Sequence, residues 1–187
     1  MASPVGHSLM GLGLYLVLSP RRHLSDPLRR WKTIALYIFL ANLPDVDFLV
    51  GFLFYGRFNI LHGEMTHNAS FLIITSLLFA TLCQDHSSLI RSFFTVFLLI
   101  GSHDLMDFLS SQNLGLQRAY GIAFFYPFSQ EKIGAPFSLF YGVRHKNLEQ
   151  LFSLENLWTI MYELCVFLPV LALIYVTRRP TDSKMHE

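Results

Sequence analysis

Charged side chains are scarce in this sequence. Asp, Glu, Lys and Arg make up 14% of its 187 residues, against about 25% in ordinary soluble domains. Another 52% are hydrophobic, with a mean hydropathy of +0.42. Too few polar groups remain to cover a globule of this size in water, which argues against a soluble fold and against disorder and leaves a membrane protein. Cysteine is scarce too. Cys83 and Cys165 each lie inside an apolar run, which argues against a disulfide framework or a thiolate metal site. A net charge of +1, with no basic stripe interleaved with aromatics, leaves no footprint for nucleic acid. No basic residue precedes the apolar residues 8–19. Arg21, Arg22, Arg29, Arg30 and Lys32 follow them instead, which is the wrong order for a secretory signal.

Apolar stretches are what the sequence does have. Five of them, near 8–19, 33–55, 70–83, 92–110 and 157–176, predict an all-α integral membrane bundle of four to five segments, forming a single domain over 1–187. A helix that spans alone wants about 20 apolar residues. The last stretch meets this despite Pro169, whereas 33–55 meets it only by including Pro44, Asp45 and Asp47, and the first and third are short. Sidedness follows from Lys and Arg alone. With loops 20–32 and 84–91 and the tail 177–187 in the cytoplasm, that side holds nine of the fourteen and the other side five. This predicts a cytoplasmic C-terminus in a bacterial inner membrane, with residues 111–156 as an aromatic-rich cap on the extracytoplasmic side.

Against this background the ionisable residues fall into four groups: His7, Asp45 and Asp47 in LPDVD, His62 and His67 in HGEMTH, and His103, Asp104 and Asp107 in HDLMD. Such groups in or beside membrane segments are costly and point to function. The predicted topology brings all four to the extracytoplasmic face. His103 and Asp107 are four apart and share a helix face. Pro44 is expected to break or start a helix, letting Asp45 and Asp47 turn to one site, and Asn68 or Ser70 is placed to cap the following helix. Imidazole and carboxylate without thiolate suit zinc, iron or manganese, with zinc the commonest choice for hydrolysis. The expected ligands are His7, Asp45, Asp47, His62, His67, His103 and Asp107. That many donors allows one or two divalent ions. Asp45 and Asp47 are the candidate catalytic carboxylates, and Glu64 is either a general acid or base or a solvated loop residue. Asp104, about 100° around the helix from His103, is expected to support the ligands. His23, His86, His145 and His186 lie in polar loops without an expected role.

The order of these motifs, followed by Pro127, Phe128 and Ser129, resembles the family of inner-membrane-associated metal-dependent hydrolases. That family is grouped with LexA-binding membrane proteins and the zinc-dependent phospholipase C superfamily. The resemblance covers roughly residues 3–140. The family usually carries Arg-Gly after the first histidine of the third motif and Ser after the second, where this chain has Gly63, Glu64 and Asn68. The donors survive that change, while an arginine that could grip an anion is missing. The resemblance implies a helical metal-dependent hydrolase and supplies no substrate.

Together these features predict a membrane-bound enzyme, hydrolysing an ester or phosphoester of a membrane lipid with metal-activated water. Two other classes fit the same donors: a metal or proton carrier, and a regulatory membrane protein with a structural metal.

Overall fold

The computed structural model describes residues 1–19, 27–56, 62–63, 65–82, 88–145 and 148–178. Glu64, His23, His86, His186, Cys83 and several of the basic loop residues (Arg21, Arg22, Arg57, Lys146, Arg179 and Lys184) lie outside that set. The described chain is mostly helical. Helix α1 (Pro4–Leu18) starts where Pro4, which has no N–H to lose, follows Ser3, whose hydroxyl accepts a hydrogen bond from the Gly6 amide. Helix α2 (Pro27–Ala41) runs back and stops before Pro44, and a 3-10 turn (Leu43–Asp45) follows. Helix α3 (Val46–Tyr55) then leaves at 59° and ends on Gly56, whose φ of 63° closes it in the left-handed conformation. The break expected at Pro44 is therefore present, and it divides the apolar run 33–55 into two helices.

Helix α4 (Ala69–Leu82) is capped by Asn68, whose side-chain oxygen accepts from the Phe71 amide. Helix α5 (Leu89–Phe108) is capped by the Ser88 hydroxyl. Next comes an irregular cap in which strand β1 (Ser110–Ser111) pairs in parallel with β2 (Phe140–Tyr141). A short helix α6 (Leu148–Leu151) then leads into α7 (Leu154–Arg178), which contains Pro169. By length and composition α5 and residues 149–178 are long and apolar enough to cross a membrane, as is the bent α2–α3 pair if counted as one span. α1 and α4 are short apolar helices, as their sequences predict.

Helix α1 lies at the centre, packed on α2, α5 and α7, while α4 packs on α5. One apolar cluster joins Tyr15 and Leu16 to Ile34, Met106, Phe167 and Leu171. The other joins Leu40 and Leu72 to Val96, Leu99 and Ile100. The outer faces are apolar as well: Ile74, Leu78, Leu168, Leu173 and Val176 are more than half exposed. In water such a surface would be costly. In a bilayer it is the ordinary exterior.

The contact between α1 and α2 rests on Gly11. A Cβ there would stand 2.9 Å from both the Ala41 Cβ and the Tyr37 carbonyl oxygen, so α1 and α2 touch nearly backbone to backbone, the arrangement small residues permit inside membranes. Gly11→Leu is expected to lower the melting temperature in detergent, with a loss of about 1–3 kcal/mol from overpacking, whereas Gly13→Ala, where the nearest atom is a leucine methyl at 3.3 Å, is expected to melt near the wild type.

Candidate metal centre

Four helix ends meet at one end of the bundle. They are the first turn of α1, the break between α2 and α3, residues 62–68 before α4, and the last turns of α5. They carry all seven expected donors to one place. His7, His67, His103 and Asp107 are inaccessible to solvent, Asp47 and His62 nearly so, and only the Asp45 side chain, 18% exposed, has an open edge.

Asp107 is the focus. Its Oδ1 accepts the Ala2 amide at 2.8 Å and lies 3.5 Å from His7 Nε2. Its Oδ2 faces His67 Nε2 at 3.3 Å and His103 Nε2 at 3.4 Å. Asp45 Oδ1 approaches the same His103 nitrogen to 3.5 Å, and the His7 ring stacks on His103 with centroids 3.6 Å apart. Asp47 makes a second, adjoining focus. One oxygen accepts from His62 Nδ1 at 2.8 Å, and the other accepts the Thr66 hydroxyl at 2.6 Å and lies 3.5 Å from His67 Nδ1. The two carboxylates of LPDVD thus serve adjoining places, Asp45 beside His103 and Asp47 beside His62 and His67.

The hydrogen bonds assign the imidazole protons. His103 Nδ1 donates to the Ala41 carbonyl at 2.9 Å, which leaves Nε2 as a lone pair. Thr66 gives its proton to Asp47, so at 3.0 Å it accepts from His67 Nδ1, and His67 Nε2 is a lone pair as well. These two lone-pair nitrogens lie only 3.1 Å apart, with a carboxylate oxygen beside both. Such a set repels itself unless a positive charge lies among it. Without an ion, a proton has to supply that charge. Burial alone would disfavour a charged His67, yet Asp107 and Asp47 outweigh it and raise its pKa to about 9.

The residues fit a metal ion. Donors about 2.0–2.2 Å from zinc stand roughly 3.3–3.6 Å apart around a tetrahedron, close to the spacings seen here. Three overlapping groups, His7, His103 and Asp107, Asp45, His67 and His103, and Asp47, His62 and His67, each hold their donor atoms within 4.8 Å of one another. Both nitrogens of His7, Nε2 of His62 and Oδ2 of Asp107 are buried without a hydrogen-bond partner. Their neighbours already orient several of them, as second partners do around metal-binding histidines.

Some residues behave differently from their sequence reading. Asp104 is buried, but neither of its oxygens makes a hydrogen bond, so it does not brace the ligands as expected. It lies on an adjoining face of α5. His145, given no role, packs its ring edge-on to His62 at 5.2 Å and to Phe48 at 4.9 Å, and burial together with the nearby His62 lowers its pKa to about 4. Pro127 to Ser129 form an exposed turn, with Phe128 92% exposed, and among the described residues no hydrogen bond links them to the cluster. Glu163 was missed altogether. It is fully buried on α7, where one oxygen accepts the Ser3 amide at 2.8 Å and the other the Ser3 hydroxyl, fixing the helix start that carries His7. Its signal was available: it is the only acid in the apolar stretch 157–176. Lys132 reaches from the cap to Gly63, its ammonium 3.2 Å from where a Cβ would stand. The φ of 83° at that glycine admits few other residues.

Fold and site together define a helical membrane protein with a buried His/Asp centre at one end of its bundle. The chain belongs to the YdjM inner membrane protein family, whose sequence model matches residues 1–181. No curated protein and no solved structure matches it. The family description names a membrane and leaves the reaction open, so it supports the inner-membrane part of the resemblance read from the motifs.

Thr66 offers a test of this network in the protein alone. Thr66→Val keeps the shape but removes the hydroxyl between Asp47 and His67, and is expected to cost about 1–3 kcal/mol as two buried polar atoms lose a partner. Thermal melting in detergent reads the loss, and Thr66→Ser is expected to restore most of it.

Proposed function

We propose that the protein is a membrane-bound metal-dependent hydrolase acting on an ester or phosphoester of a membrane lipid. The facing lone pairs of His67 and His103, 3.1 Å apart against Asp107, carry this reading. One or two divalent ions, zinc in the first instance, would polarise the ester and lower the pKa of the attacking water. His7, His67, His103 and Asp107 are the natural holders. Asp47 orients His62 and His67, and it can also join a group of its own with them.

The remaining steps belong to side chains. Asp45 is the one carboxylate of the cluster with an open edge, and its carboxylate would take a proton from a water arriving there. Lys132 brings an ammonium to the 62–66 loop, where a phosphate oxygen could be met. It would stand in for the arginine missing from the third motif. A lipid is favoured over a soluble substrate because the cluster lies among short apolar helices under a cap rich in aromatics. The Lys and Arg bias favours an extracytoplasmic site and a cytoplasmic C-terminus.

Elemental analysis of detergent-purified protein, paired with hydrolysis of a lipid extract with and without chelator, tests the proposal. His103→Ala and Asp107→Ala are each expected to lose bound metal and melt earlier, because ion binding is coupled to folding. Unchanged metal content in both would remove them as ligands. Asp45→Asn is expected to keep the protein inserted and to lower turnover 100-fold or more, about 3 kcal/mol of transition-state stabilisation, with a smaller change in KM. Metal held tightly by a protein that hydrolyses nothing in the extract would favour the structural-metal reading.

Sidedness is tested separately. A reporter fused after Lys184 is expected to score as cytoplasmic and an accessibility tag near Gln117 as extracytoplasmic. The opposite pattern would invert the protein in the membrane and carry the whole cluster with it.

A further inference from the structure

A cavity of about 670 Å³ lies beside the cluster, on the other side of α5. Its walls are Met10 and Leu14 of α1, Leu72 of α4, Leu98 and Leu105 of α5, and Phe125 of the cap. Residues 98, 101, 105 and 108 follow one face of α5 and set its length along the helix. Gly101 widens it at the middle, since a Cβ there would meet nothing nearer than a Leu72 methyl at 3.7 Å. Leu98 and Leu105 are 46% and 54% exposed, so the cavity opens on the outer, apolar surface of a candidate membrane span.

Two facts narrow the occupant. The lining is almost wholly apolar, and the hydroxyl of Ser102, which also borders it, is already spent on the Leu99 carbonyl at 2.7 Å. Water would find few partners there, whereas a hydrocarbon chain would. The exception is Asp104, which lines the cavity, is 4% exposed and has no hydrogen-bond partner for either oxygen. A buried carboxylate left so is costly, and a donor carried by the occupant would relieve it.

We propose that this cavity holds one acyl chain of a bilayer lipid, whose polar end presents a hydrogen-bond donor, a hydroxyl or an ammonium, to Asp104. The chain lies along α5 between Leu98 and Leu105, with its polar end toward the His103 and Asp107 end of the helix. This deepens the lipid-hydrolase reading by naming the part of the substrate that this wall grips. The test is binding without turnover, so a protein lacking all hydrolase activity could still pass it.

The whole protein, in nanodiscs of phosphatidylcholine, is irradiated with a diacylglycerol carrying a diazirine in its acyl chain. Labelled peptides are then mapped by mass spectrometry. Labelling is expected on residues 97–105 and 122–125, with competition by excess unlabelled diacylglycerol. Gly101→Phe, which fills the cavity, is expected to cut it at least 10-fold, with the thermal melting temperature in detergent serving as the control for folding. Two probe pairs read the donor: the diacylglycerol against its hydroxyl methyl ether, and diazirine phosphatidylethanolamine against the matching phosphatidylcholine. A gap within the first pair assigns a hydroxyl and a gap within the second an ammonium, and Asp104→Leu is expected to abolish either gap. Labels spread evenly over the lipid-facing helices, or labelling not competed in the wild type, would overturn the chain site. Equal labelling within both pairs would overturn the role of Asp104.

Discussion

A carboxylate shut away from water must be compensated by whatever encloses it, and the architecture of this bundle follows from how Asp107 is enclosed. It is wholly inaccessible: one oxygen accepts the Ala2 amide, imidazoles from three separate stretches of chain surround it, and a proton or a metal ion shared with them has to balance its charge. The distances are close enough that shifting any one of α1, α4 or α5 by an ångström or two would leave a charge in apolar surroundings with a partner missing. Hydrophobic contact cannot impose such a constraint among helices whose outer faces are as apolar as their inner ones. Leucine against leucine tolerates sliding. A buried carboxylate facing lone pairs does not.

Much of the centre was legible in the sequence because polar residues in apolar segments are conspicuous. His7, the LPDVD and HGEMTH motifs, and His103 with Asp107 stand out individually, and alternating segment direction places them at one end without any structural knowledge. The break at Pro44 and the Asn68 cap were legible for local reasons, a missing N–H and a short side chain that mimics the backbone. What stayed hidden depends on long-range neighbours. The division of labour between Asp45 and Asp47 is set by where α3 departs, and a 59° turn has no signature in composition. His145 looked idle because its partner His62 lies 83 positions earlier. Asp104 was read as a brace from its neighbour in sequence, yet the helix turns it toward a cavity, where it stands alone.

The two faces of α5 divide the chemistry of the molecule. One bears His103 and Asp107 against three other segments of chain, and the other forms the apolar wall in which Asp104 is the one acid. A rigid helix thereby fixes the spacing between a polar centre and an apolar channel. Side chains on helices hold such spacings better than side chains on loops. The cap adds the third wall, and its own fold is held by long-range backbone bonds: Ala69 to Phe124, Ala123 to Gly63, and Val143 to Met1.

Glu163 gives the molecule an order of assembly. Ser3 and His7 leave the ribosome long before either of the carboxylates that hold them has been made: His7 waits for Asp107, and Ser3 waits for a residue 160 positions later. Helix α1 is short, and until then it has only α2 and α5 to lean on. Because chains emerge N-terminus first, α7, made after the other described helices, closes on the first. A ribosome that stalls before α7 would therefore leave behind a membrane-inserted chain with the histidines and aspartates of its buried centre present and the anchor of its first helix still missing.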